Sequence, residues 1–189
     1  MNITEWDQRY RTGERADADL YAPPTPLVVR TASGLTAGRA LDIACGTGRN
    51  AVWLAEHGWD VTAVDGAPAA IEILNDRIRG RSLKLITAVA DLEAPEFRID
   101  AKAWDLICCC YYLQRDLFPK IRDGLQAGGV SIAIAHIVKP GEPTTYKHAA
   151  YGELRSYFED WEILHFYRGT PDDNAHKRAV EEVVARKRL

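Results

Sequence analysis

The sequence predicts an α/β protein of three layers: a doubly wound, mostly parallel seven-stranded sheet with an antiparallel last strand and helices on both faces. Three observations carry this expectation. Short β-branched and apolar runs alternate with helical stretches along most of the chain. The first of these runs, Arg39-Ala-Leu-Asp-Ile43, enters a glycine turn and then a helix. Near the end of the chain, two strand-like runs are separated by a short polar turn, which favours antiparallel pairing.

Each element can be justified in order. Trp6, Arg9 and Tyr10 are spaced three and four apart and share one face of an N-terminal helix. After the first strand, Arg49 to His57 reads as a helix ended by Gly58, and Asp60-Val-Thr-Ala-Val64 as a strand closing on Asp65-Gly66. Strand, helix and strand within about 30 residues imply a right-handed parallel crossover. A helix from Ala67 to about Ile78, a strand from Leu83 to Val89, a looser proline-containing segment through Lys102 and a strand from Trp104 to Cys110 repeat the pattern. Leu117 to Leu125 then reads as a helix stopped by Gly128-Gly129, and Val130 to Ala135 as a strand buried on both sides. Lys139 to Ala150 reads as a loop, Gly152 to Phe158 as a short helix and Trp161 to Tyr167 as a strand. Gly169 to Lys177 is a polar turn, and Arg178 to Arg186 a last strand.

With 189 residues, 47% of them hydrophobic, the chain is long enough for one sizeable core and short for two, so a single domain over residues 1–189 is expected. Charge is near balance, 24 Lys plus Arg against 27 Asp plus Glu, which leaves no field to gather nucleic acid. The longest apolar stretches fall far below the roughly 18 to 20 residues of a membrane span. Residues 1–10 lack a basic start followed by an apolar run. A cytoplasmic monomer or homodimer acting on a small molecule, with no nucleic-acid or membrane partner, is therefore expected. Cys108, Cys109 and Cys110 are consecutive in one strand, where neighbours point to opposite faces and make no metal cage, so no metal is expected.

In open α/β sheets, ligands bind beyond the carboxyl ends of the strands. Those ends carry Asp42 with the Gly46 to Gly48 turn, Asp65, Ala90-Asp91-Leu92, and Cys110-Tyr111-Tyr112, an arrangement that one molecule can touch throughout. Gly46-Thr-Gly-Arg-Asn-Ala51 formally satisfies the dinucleotide pattern G-x-G-x-x-G/A, and Asp65 lies near the spacing of about 20 residues expected of a ribose-binding acid. An NAD(P)-dependent oxidoreductase is thus one reading. The shortness of the chain argues instead for a smaller cofactor.

Leu41-Asp-Ile-Ala-Cys-Gly-Thr-Gly48 resembles the first motif of the class I S-adenosylmethionine-dependent methyltransferases, with Ala44 where many members have glycine. Val64-Asp65 resembles their second motif, Ala90-Asp91-Leu92 the third, and Leu125-Gln-Ala-Gly-Gly129 the turn before their fifth strand. Three segments look like the tellurite-resistance and thiopurine S-methyltransferase branch: residues 6–13, 45–50 and 152–161. The resemblance implies a Rossmann-like methyltransferase fold, a core over residues 36–189, an N-terminal lid or extension over residues 1–30, and S-adenosylmethionine as cofactor. It implies that Asp65 accepts the ribose hydroxyls, Asp91 the adenine amino group, and that the Gly46 to Gly48 backbone meets the amino-acid end, with Asp42 fixing the turn or taking the ammonium. Ala44, Cys45, Thr47, Asn50, Gly66, Ala67, Ala90, Leu92 and Cys110 complete the implied cofactor set, and Trp6, Arg9 and Tyr10 belong to a segment that closes over it.

Methyl transfer from a sulfonium is an in-line displacement, so the protein mainly supplies alignment and a dry pocket. A soft anion such as a thiolate or a reduced chalcogen oxyanion needs no general base, whereas an alcohol or phenol does. Candidate catalytic residues are Arg49, Tyr111 and His136, with Tyr112, Gln114, Arg115, Tyr146, His148 and the run His176-Lys177-Arg178 nearby in the expected layout. Methyltransferases of exocyclic base amines carry Asp or Asn, two prolines and an aromatic after the fourth strand; Cys109-Cys-Tyr-Tyr112 stands there instead, which favours a small-molecule acceptor. A non-catalytic cofactor-binding domain of the same fold is the remaining reading.

Overall fold

The computed structural model describes residues 2–14, 22–139 and 141–189. The elements in chain order are α1 (Ile3–Arg11), α2 (Pro26–Ala32), β1 (Arg39–Ile43), α3 (Arg49–Glu56), β2 (Asp60–Asp65), α4 (Pro68–Ile78) and β3 (Leu85–Val89), then β4 (Trp104–Cys110), α5 (Leu117–Gly124), β5 (Leu125–His136), α6 (Glu153–Ser156), β6 (Glu162–Gly169) and β7 (Val180–Arg186). The sheet has seven strands in the order β3-β2-β1-β4-β5-β7-β6. β7 runs antiparallel to both its neighbours, as expected of the last strand.

The chain divides into two compact units, Met1–Phe97 and Arg98–Leu189. In the first, β1, β2 and β3 pair in parallel, in register from Arg39↔Asp60 and Val61↔Leu85 onward. Their inner residues, Ala40, Ile43, Val61 and Ala63, are fully buried, and α3 and α4 cover them through Ala51, Leu54, Ala70 and Leu74. In the second unit, β4 pairs with β5 in parallel, and β5, β7 and β6 continue antiparallel. Leu106, Ile107 and Cys108 lie at the centre of that core with Ile132, Val183 and Phe158.

Two elements differ from the sequence expectation. Gly128-Gly129 does not stop a helix ahead of a six-residue strand; β5 starts at Leu125 and runs through both glycines for 12 residues. Leu125 already pairs with Trp104, and the Gly128 N–H donates to the Lys187 carbonyl while the Lys187 N–H donates to Gly129, so partners on both sides hold the segment extended. Gly128 takes φ +79, and a side chain at Gly129 would meet the Trp104 carbonyl at 3.0 Å, so the glycines serve a bulge inside the strand. Helix α2 was not expected. Its signal is masked by Pro23, Pro24 and Pro26 and by a β-branched run, but Pro26 suits a first helical turn and Leu27, Val28 and Ala32 are buried by tertiary packing.

Candidate active site

The turn between β1 and α3 alternates left-handed residues: Ala44 at φ 54°, Gly46 at 55° and Gly48 at 79°. Glycine adopts that conformation freely, whereas Ala44 does so against the steric preference of its Cβ. Gly48 has a second reason to lack a side chain, because a Cβ would lie 2.3 Å from Leu74 Cδ1 on α4. The turn is bonded from within. Gly46 N–H donates to Asp65 Oδ2 at 2.8 Å, Gly48 N–H to the Cys45 carbonyl at 2.9 Å, and Arg77 from α4 donates to the Thr47 carbonyl at 2.6 Å. These donors shape the turn.

Asp65 stands at the end of β2, and its second oxygen accepts from Ala67 N–H at 2.8 Å, so one carboxylate ties the glycine turn to the start of α4. Asp42 is 1% exposed. Burial pushes its carboxyl up to about 7, opposed by the Ala51 N–H and the Arg49 charge and reinforced by Asp65. Among the described residues, Asp42 Oδ2 and Thr47 Oγ1 are buried without a hydrogen-bond partner. Cys45 is buried; its thiol is pushed well up, first by burial and then by the charges of Asp65 and Asp42, which makes it inert as a nucleophile. Asn50 accepts from Thr25 N–H at 2.9 Å and so fastens the start of α2, while Arg49 donates to the Pro23 carbonyl at 3.2 Å. Asp91 is exposed and closes a turn by accepting from Glu93 N–H at 2.9 Å; Leu92 is buried beside it.

Helix α1 packs on this unit. Tyr10 is buried against Ala67, Ala69 and Ala70, with Trp6 alongside, so the two aromatics share a face as expected. Arg9 stacks over Trp6 at 5.2 Å and pairs with Glu14 at 2.9 Å, next to a groove lined by Thr4, Glu5 and Gln8. Ile3 lies over Gly66, where an added Cβ would meet it at 3.1 Å.

The second unit gathers its own candidates. Tyr111 sits at φ 62° and stacks on His176 with ring centroids 3.4 Å apart, and His136 lies 5.6 Å from Tyr111 and 5.4 Å from His176. The His148 ring is 6.4 Å from that of His136. Arg178 donates to His148 Nε2 at 3.2 Å, which leaves Nδ1 as the protonated nitrogen facing Thr145 Oγ1 at 3.0 Å. Of the run His176-Lys177-Arg178, which the sequence offers as a candidate anion clamp, the turn that folds back through Asp173 brings His176 and Arg178 to the cluster. Other candidates serve the scaffold. Arg115 grips Glu153 at 2.6 and 3.1 Å and the Thr145 carbonyl at 3.0 Å, Tyr112 donates to Gln114 at 2.8 Å, and Tyr146 is 64% exposed, away from the ring cluster. Cys110 is half-buried at the end of β4. No helix among the described residues is long and apolar enough to cross a membrane.

A parallel strand ending in a buried acid, a left-handed glycine turn, a second acid closing the next strand and a final antiparallel strand define the class I S-adenosylmethionine-dependent methyltransferases. Within that class the chain belongs to the family described as Tellurite resistance protein TehB, whose profile matches residues 23–179. It is 27% identical over 178 residues to the probable S-adenosyl-L-methionine-dependent methyltransferase TehB of Haemophilus influenzae, covering 85% of this chain and 61% of that protein. The chain thus spans less than two thirds of that relative. The crystal structure of TehB from Haemophilus influenzae superposes with a TM-score of 0.73 at 26% identity, again over 85% of this chain and 61% of that one. A Haemonchus contortus phosphoethanolamine N-methyltransferase solved with S-adenosyl-L-methionine shares the fold, at TM-score 0.71 and 16% identity over 86% of this chain and 52% of that one.

Proposed function

We propose that the chain transfers a methyl group from S-adenosylmethionine to a small, soft nucleophile, either a thiolate or a chalcogen oxyanion. The observation that carries the cofactor half is the pair of orphaned buried oxygens, Asp42 Oδ2 and Thr47 Oγ1, in the glycine turn between β1 and α3. A buried carboxyl poised near 7 with one oxygen unbonded fits an ammonium group. When bound, the cofactor supplies a sulfonium methyl, an electrophile that needs no activation by the protein.

The chain's own residues then hold and orient. Asp65, fixed by the N–H groups of Gly46 and Ala67, is the acid assigned to the ribose hydroxyls. Asp91 is assigned to the adenine edge, with Ala90 and Leu92 beside it. Trp6, Arg9 and Tyr10 belong to the covering helix, and residues 1–30 act as an extension of one methyltransferase domain. For the acceptor, the grouping of Tyr111, His136, His148, His176 and Arg178 brings phenol, imidazole and guanidinium groups together, a chemistry suited to an anion, with His136 and Tyr111 as the groups that orient it and Arg49 acting on the cofactor end.

Calorimetry with S-adenosylhomocysteine and with NAD tests the cofactor assignment: preferential binding of NAD would overturn it in favour of an oxidoreductase. Turnover of thiols, phenols and chalcogen oxyanions tests the acceptor. Methylation of phenols alone would refute the soft-nucleophile reading, and an inert panel would favour a cofactor-binding domain without catalysis.

A further inference from the structure

The start of α4 lacks a cap of its own. Ala67 occupies the N-cap position, where Ser, Thr, Asp or Asn would ordinarily accept from the first free N–H groups, and Pro68 follows it. Two acids from elsewhere take over. Asp65 Oδ1 accepts from Ala67 N–H at 2.8 Å, and Asp7, 62 residues away on α1, accepts from Ala69 N–H at 2.7 Å through Oδ1. The other Asp7 oxygen takes Arg11 Nε at 2.7 Å, and Arg11 reaches Glu72 on α4 at 3.6 Å.

The apolar part of the α1 contact is made against the small residues Gly66, Ala67, Ala69 and Ala70, with Ile73 beside them. The capping box of α1 joins Asn2 and Glu5 and closes its first turn, but a nine-residue helix is marginal without packing, so loss of docking also opens its amides. The acid assigned to the ribose and the acid of the covering helix therefore grip the same helix end within three residues.

We propose that Asp7 is a positioning residue that latches α1 across the end of β2 and thereby sets the rate at which cofactor exchanges. This rests on the reading that residues 1–97 bind S-adenosylmethionine. A purely structural Asp7 would lower the melting temperature and leave release unchanged; a latch moves release and local opening together.

The test uses the full chain as wild type, Asp7→Ala and Asp7→Asn, with stopped-flow release of S-adenosylhomocysteine and amide exchange over residues 3–11. Loss of a side-chain cap shifts an equilibrium by about three- to thirtyfold, so Asp7→Ala is expected to release about tenfold faster, with matching acceleration of α1 exchange and none in β1. Asp7→Asn, whose amide oxygen still accepts from Ala69, is expected to fall between. Release at the wild-type rate from folded Asp7→Ala overturns the proposal, and if that variant does not fold, wild-type release from Asp7→Asn does so. If wild type binds no S-adenosylhomocysteine, the cofactor reading fails and the proposed control of cofactor exchange fails with it; α1 amide exchange in the variants then reports the docking contact alone.

Discussion

Replacing Asp42 with Asn tests the electrostatics of the turn most directly. The carboxyl is 1% exposed and lies at about 7 in the folded chain against an ordinary 3.8. Because the folded value is the higher one, the folded protein binds an extra proton between these limits, so the contribution of this group is fully present below about pH 3.8 and is lost as pH rises to about 7. At about 1.4 kcal/mol per unit of pH, the full penalty above pH 7 is on the order of 4 kcal/mol. Asn keeps the shape and carries no charge, so Asp42→Asn should match wild type below about pH 3.8, apart from a pH-independent offset, and exceed it by on the order of 4 kcal/mol at pH 8. Urea unfolding of the ligand-free protein at a series of pH values measures this. A difference between the two proteins that stays flat from pH 4.5 to 8 would refute the buried-charge reasoning. On the proposed contact between the cofactor ammonium and Asp42, S-adenosylhomocysteine should narrow the gap at pH 8, because that contact favours the ionised wild type.

Ala44→Gly relieves a left-handed alanine, and after the entropy of the added glycine is subtracted it should stabilise by about 0.5 kcal/mol; a loss above about 1 kcal/mol in urea midpoints would contradict the strain. Gly48→Ala drives a Cβ into Leu74 at a left-handed position and should cost about 2–4 kcal/mol, read by the same unfolding curves. Burial alone would raise the Glu153 carboxyl, but Arg115 and the Ala150 N–H outweigh it and hold it below the ordinary range. Its contribution is thus present above about pH 4.5 and lost as pH falls through the folded value, so the stability gap between wild type and Glu153→Gln should close in acid. His176→Ala removes the ring stacked on Tyr111 and should cut turnover of an anionic acceptor about tenfold while S-adenosylhomocysteine affinity holds; weakened cofactor binding would place His176 elsewhere in the reaction.

Local signals gave most of the strands and the turn. The run Arg39 to Asn50 was legible because its requirements are local: an apolar strand, an acid at its end, and glycines where φ turns positive at positions 46 and 48. Asp65 was legible from spacing, and its bonds to Gly46 and Ala67 show why an acid suits that position. Helix α2 was not legible, since three prolines hide it and buried contacts stabilise it. Nor was the course of β5 through Gly128-Gly129, because the pull to extend comes from Trp104 and Lys187 on neighbouring strands.

The sequence by itself determined the alternation of strands and helices, the glycine turn and the acids that close β1 and β2, because each depends on residues a few positions apart. Tertiary structure decided what those side chains face. It buried Asp42 until its carboxyl rose to about 7, brought Asp7 across 62 residues to cap α4, and folded His176 onto Tyr111. Desolvation, trans-capping and ring stacking depend on distances in space that no sequence spacing encodes.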